Sequence, residues 1–137
     1  MPRKIFVNLP IRDLKKSMEF FGKLGFKFNP QFTDETATSM IISDDIYVML
    51  LTHEKFRTFI ANKEIADSTK TTEALIALSF DSREEVDKLV DAAIAAGGKP
   101  FREPADHGFM YERSFEDLDG HVWEPFWMDS SFVQPQA

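Results

Sequence analysis

The sequence predicts an α+β domain built from two copies of one βαβββ unit. Three observations predict it. The order strand, helix, strand, strand, strand occurs twice. Each helix pattern has a polar cap before it and glycine after it. The last strand of each unit follows an Asp-rich turn, Asp44-Asp45 in the first and Asp117-Leu118-Asp119-Gly120 in the second.

In the first unit, Ile5-Phe6-Val7-Asn8-Leu9 reads as a short strand, and Pro10 is expected to limit it because proline donates nothing to a ladder. Asp13 is placed to cap a helix whose apolar face is Leu14, Met18, Phe21 and Leu24, and Gly25 to stop it. Phe26-Lys27-Phe28, Thr38 to Ile42 and Tyr47 to Leu51 follow as strands. In the second unit, Ala74 to Phe80 is a strand. Ser82 and Glu85 form a capping box, the helix buries Val86, Leu89, Val90, Ala93 and Ile94, and Gly97-Gly98 ends it. Lys99 to Phe101, Met110 to Phe115 and His121 to Trp127 complete the unit. The expected bounds are about 4–53 for module one, 54–72 for a linker and 73–128 for module two, all in one domain. The linker carries a short helical-looking piece with Phe56, Phe59 and Ile60.

With 137 residues, 43% of them apolar and 14 of them Phe, the chain is long enough for a sizeable core. Its 23 acidic against 16 basic residues give a formal charge of −7. That field repels polyphosphates, so no nucleic-acid partner is expected, and it favours a cationic ligand. The absence of cysteine excludes disulfides, thiolate nucleophiles and Cys-based zinc sites. Neither a signal-peptide pattern at Met1-Pro2-Arg3-Lys4-Ile5 nor a membrane-length apolar run is present, so a cytoplasmic protein with no membrane partner is the expectation.

Glu124 draws attention because it puts a carboxylate in an apolar strand, where charge is costly to bury. By alternation it shares a face with Val122, Phe126 and Met128, while Trp123 and Trp127 take the other. The candidate catalytic set is Glu124 as a general base, with His107 or Tyr111 as the acid, if burial raises the carboxyl. Arg102 or Arg113 nearby would instead pair with Glu124 structurally. His53, His107 and His121 match no compact metal motif, and His121 is expected to be exposed at its turn. Gly-rich phosphate loops, a Gly-x-Ser-x-Gly elbow and a dinucleotide fingerprint are absent.

Two stretches together resemble the vicinal oxygen chelate superfamily of glyoxalase I, bleomycin-resistance proteins and extradiol dioxygenases. One is Leu9-Pro10-Ile11-Arg12-Asp13-Leu14 with Ser17, Phe20-Phe21 and Leu24-Gly25-Phe26; the other is Phe115 to His121 with Glu124. The chain is most similar to small bacterial members described as glyoxalase-like or as lactoylglutathione lyases. The resemblance implies a curved mixed sheet, a concave cavity and a homodimer. It also implies four metal-ligand positions, on the first and last strand of each module. Matched by motif, these fall on Phe6, Met49, Leu75 and Glu124; sliding the first strand by two residues brings in Asn8. Phe and Leu offer no donor, and thioether suits soft metals, so no bound metal is expected. The cavity implied is apolar, lined by Phe6, Met49 and Leu75, with Asn8, Tyr47, His53 and Glu124 as polar handles, a usual composition for a small-molecule site.

Three functions compete. One is a metal-independent protein that binds a small, partly apolar or cationic molecule. The second is a metal-dependent lyase or isomerase of the glyoxalase I type. The third is a metal-free enzyme using Glu124 as base.

Overall fold

A computed structural model describes residues 2–132. Its contacts divide the chain into one unit up to Asp67 and one from Ser68, and each carries its own mixed sheet.

The first unit runs β1 (Ile5–Ile11), α1 (Leu14–Lys23), β2 (Lys27–Asn29), β3 (Ala37–Ile41), β4 (Ile46–Thr52) and α2 (His53–Arg57). Its sheet order is β1-β4-β3-β2, with β1 parallel to β4 and the other pairs antiparallel. Asp13 caps α1 by accepting from the Lys16 amide at 3.1 Å. Strand β1 runs through Pro10 to Ile11 rather than ending before it. It is the outermost strand of its sheet, a position where a missing N–H is tolerated. The buried stripe of α1 is Leu14, Ser17, Phe20 and Phe21, with the expected Met18 and Leu24 half-buried at its margin. Leu9, Ile11, Met40, Val48, Leu50 and Leu51 are among the buried strand residues of this core.

The second unit runs β5 (Leu75–Phe80), α3 (Arg83–Ala95), β6 (Lys99–Pro100), β7 (Ala105–Asp106), β8 (Met110–Glu112), β9 (Phe115–Glu116) and β10 (Val122–Met128). Strand β10 is parallel to β5 and antiparallel to β8 and β9. The last strand thus lies parallel to the first in both units. The strand expected at Lys99 to Phe101 ends at Pro100, leaving a break at 101–104 before the unexpected β7, and the strand expected at Met110 to Phe115 is broken in two at 113–114. The second break lies beside Pro125 of β10, which has no N–H to give its neighbour; there the Arg113 amide donates to the Pro125 carbonyl at 3.1 Å. Buried Val86, Leu89, Val90 and Ala93 of α3 pack this core, whereas Ile94 is partly exposed.

The two long helices end in the same way. Gly25 (φ 98°) and Gly97 (φ 112°) are left-handed. The Phe26 amide reaches back to the Phe21 carbonyl at 3.1 Å and the Gly98 amide to the Ala93 carbonyl at 2.9 Å, closing a Schellman motif each time. At the start of α3, Ser82 accepts from the Glu85 amide, while the Glu85 carboxylate accepts from Asp81, one residue ahead of the expected box partner.

Asp117 organises the turn before β10. Its carboxylate accepts from the amides of Asp119 and His121 and from the Trp123 indole N–H at 2.9 Å. Burial pushes this carboxyl up from its usual range, against the pull of His121, the indole and the Asp119 amide. Gly120 (φ 87°) closes the turn, and any Cβ there would lie 2.6 Å from the Ser68 carbonyl oxygen. Ser68 Oγ in turn donates to the Asp119 carbonyl at 2.6 Å.

Candidate functional site

The site is built around Glu124 on β10. Its register partner on β5 is Ala77; Phe126, two residues on, pairs with Ser79 and with Glu112 of β8. Glu124 and Glu112 therefore stand on one face of the second sheet, away from α3. Between them lies Arg102, from the 101–104 break: Nη2 donates to Glu124 Oε2, and Nη1 to Glu112 Oε1 at 3.3 Å. The Arg102 amide donates to the hydroxyl of buried Ser114 at 2.9 Å. An open cleft of about 420 Å³ adjoins the arginine, lined by Pro100 to Pro104 with Arg113 and Ser114.

The opposite face belongs to α3. The Tyr111 hydroxyl donates to Asp87 Oδ1 at 2.6 Å, and Arg113 donates to Asp87 at 3.0 Å and Asp91 at 3.1 Å. The Tyr111 hydroxyl holds the Asp87 carboxyl below its usual range, and burial with Asp87 pushes the phenol up. Arg83 stacks over Tyr111 and Trp127, with its guanidinium carbon 5.2 Å and 5.0 Å from the ring centroids, and forms a two-pronged pair with Asp106 at 2.7 Å and 3.0 Å. Trp123 is buried on this side and Trp127 lies under Arg83, so both tryptophans face the helix, as alternation indicates.

The structure does not bring the expected catalytic set together. Tyr111 points to α3, not to Glu124. His107 is exposed in the turn joining β7 to β8, where its amide donates to the Met110 carbonyl and its ring neighbours Phe109. Met110 pairs with Met128, four residues along β10 from Glu124, a run of ~13 Å at ordinary strand rise. Of the two arginines considered, Arg102 takes Glu124, and Arg113 belongs to the other face.

In the first module, Phe6 is half exposed and stacks on Tyr47 at 4.9 Å. The Tyr47 hydroxyl donates to the Asp44 carbonyl at 2.7 Å, and Asn8 Nδ2 to the Phe6 carbonyl at 3.4 Å. His53 opens α2 directly after the end of β4. His121 is half-buried rather than exposed. Leu75 is exposed at the start of β5. In the register Asn8 stands opposite Met49 and Ala77 opposite Glu124, while Phe6 and Leu75, the positions matched by motif, lie two residues before them and carry no donor. Neither pair fits a hard or borderline dication: the first module offers an amide and a thioether, the second a methyl and a carboxylate already held by arginine. No cluster of three or more His, Asp or Glu able to hold a metal occurs among the described residues.

The Arg83–Asp106 pair gives a pH prediction. Arg83 holds the Asp106 carboxyl at about 2, with the Gly108 amide helping. Because this value is depressed, the stabilisation is complete above the unfolded carboxyl's range near 3.8 and is lost as pH falls through about 2. Asp106→Asn is expected to flatten the loss of stability between those values, as followed by urea unfolding across an acid series.

Two βαβββ units, each with its last strand parallel to its first, define a glyoxalase-like fold. The sequence model of the Glyoxalase/Bleomycin resistance protein/Dioxygenase superfamily matches residues 5–124, and the chain belongs to that superfamily. Among solved structures, the hypothetical protein SA1046 from S. aureus is 32% identical, with a TM-score of 0.76 over 93% of this chain and 95% of that one. A glyoxalase/bleomycin resistance protein/dioxygenase family enzyme from Burkholderia phytofirmans PsJN is 21% identical (TM-score 0.75, 90% and 96% covered). The genomically encoded fosfomycin resistance protein FosX from Listeria monocytogenes is 18% identical (TM-score 0.66, 96% and 97% covered). No curated protein sequence matches the chain. No helix among the described residues is long and apolar enough to cross a membrane.

Proposed function

We propose that this superfamily member binds a small, partly apolar molecule through its sheet faces without the divalent metal that such folds can carry. The observation that carries this reading is the register. The neighbour of Glu124 is Ala77 and that of Met49 is Asn8, so the positions facing one another offer too few donors for a metal. The open faces suit an apolar ligand. Leu75, Ala77 and Ser79 of β5 are exposed in alternation, and in the first module so are Phe6 and Asn8. The formal charge of −7 favours a cationic group on that ligand.

The test has two arms. Natively purified, untagged protein titrated with Ni²⁺, Zn²⁺, Mn²⁺ and Fe²⁺ is expected to take up no stoichiometric metal. One tightly held ion per chain, lost in Glu124→Gln, would restore the metal-dependent lyase. Calorimetry with tetraphenylphosphonium and tetraphenylborate, alike in size and opposite in charge, is expected to favour the cation at low salt and to lose that preference at high salt. Equal affinities would remove the charge element of the proposal. A homodimer is part of the same reading and is checked by sedimentation equilibrium.

A further inference from the structure

We propose that Arg102 is a built-in cation standing where a divalent ion would otherwise serve Glu124, so that the chain's own guanidinium closes this position to metals. The inference rests on the metal-free reading above and adds to it Glu112, which lies outside the four matched positions and brings a second carboxylate beside Glu124. The Glu124 side chain is only 11% exposed and that of Glu112 only 22%, and carboxylates so enclosed need a counter-charge. They stand on neighbouring antiparallel strands, offset by two residues, and one guanidinium touches both. Their oxygens thus already converge on a single cation.

Arg102 is placed there rather than straying there. Its amide is fixed by the buried Ser114 hydroxyl, and Pro100 and Pro104 restrict the backbone on either side. Because the cation is tethered, a metal must compete with a high effective concentration. A guanidinium also keeps its charge throughout the physiological range, whereas a metal site loads and empties with pH and supply. The face therefore keeps its charge pattern in the presence of chelators.

The experiment is Mn²⁺ binding, read by calorimetry and native mass spectrometry, on wild type, Arg102→Met, Arg102→Gln and Arg102→Met/Glu124→Gln. Methionine keeps much of the stem packing and removes the charge. The expected result is no stoichiometric Mn²⁺ on wild type, about one ion per chain on either single variant, at least tenfold tighter than wild type, and loss of that ion in the double variant. If the single variants fold and bind no more Mn²⁺ than wild type, the inference fails while the metal-free reading stands. If wild type itself binds one ion through Glu124, both fail. Should the single variants be unfolded without metal, Mn²⁺ must restore their circular dichroism, since the inference holds that one cation replaces the other; no restoration overturns it.

Discussion

Asp117→Ala is expected to cost about 3 kcal/mol or more of unfolding free energy, in keeping with the loss of charge-assisted hydrogen bonds from a buried network. Asp117 is 5% exposed and Trp123 1% exposed. One carboxylate accepts from two turn amides and from the indole N–H. Removing it takes away the shared acceptor that joins the turn to the largest buried side chain of β10. Asp117→Asn keeps a carbonyl oxygen but turns an NH₂ group toward at least one donor, so a smaller loss of the same sign is expected. Urea unfolding at neutral pH measures both. A loss below about 0.5 kcal/mol for Asp117→Ala, the range of ordinary surface substitutions, would contradict this account of the turn.

Phe21→Ala is the largest change expected in the first module, about 3–5 kcal/mol from lost transfer energy and the cavity left behind. Phe21 is 1% exposed. It meets Phe20 edge-on at 5.0 Å and Phe26 at 6.1 Å. The Phe26 contact spans the Schellman turn, so the same side chain fills the core and fixes the exit of α1. Phe59→Ala is the control: that ring is 66% exposed, and its removal is expected to change stability by no more than about 0.5 kcal/mol. A midpoint shift in urea with an unchanged slope is the expected signature.

The sequence made the fold legible wherever the deciding interaction was local. Asp13, Ser82, Gly25 and Gly97 act within a few residues of themselves, so caps and stops are readable directly, and their recurrence exposes the two modules. Alternation along β10 likewise separates Trp123 from Glu124. Legibility fails where register or a loop decides. Which face Tyr111 takes follows from its pairing with Trp127, and that pairing depends on where β8 stops. The signal for that stop is Pro125, on a different strand. The pairing of Asn8 with Met49 and of Ala77 with Glu124 is equally hidden in the sequence, because ladder geometry and not helix spacing sets which residues stand opposite one another. Arg102 and Arg113 are both near Glu124 in the sequence reading, and the path of 101–104 between β6 and β7 selects Arg102.

The hydrogen bond that the Arg102 backbone N–H donates to the Ser114 hydroxyl also makes the state of the face readable by hydrogen exchange. This amide lies in a stretch outside the strand ladder, next to Glu103 and Pro104, and is held by a buried hydroxyl instead of a neighbouring strand. Its protection reports the stretch's own opening, not the unzipping of β8 from β10. An opening that carries the Arg102 amide away from Ser114 is expected to draw the guanidinium away from the two glutamates as well. The exchange rate of a single backbone proton is therefore expected to report how often the 101–104 stretch opens beside Glu124.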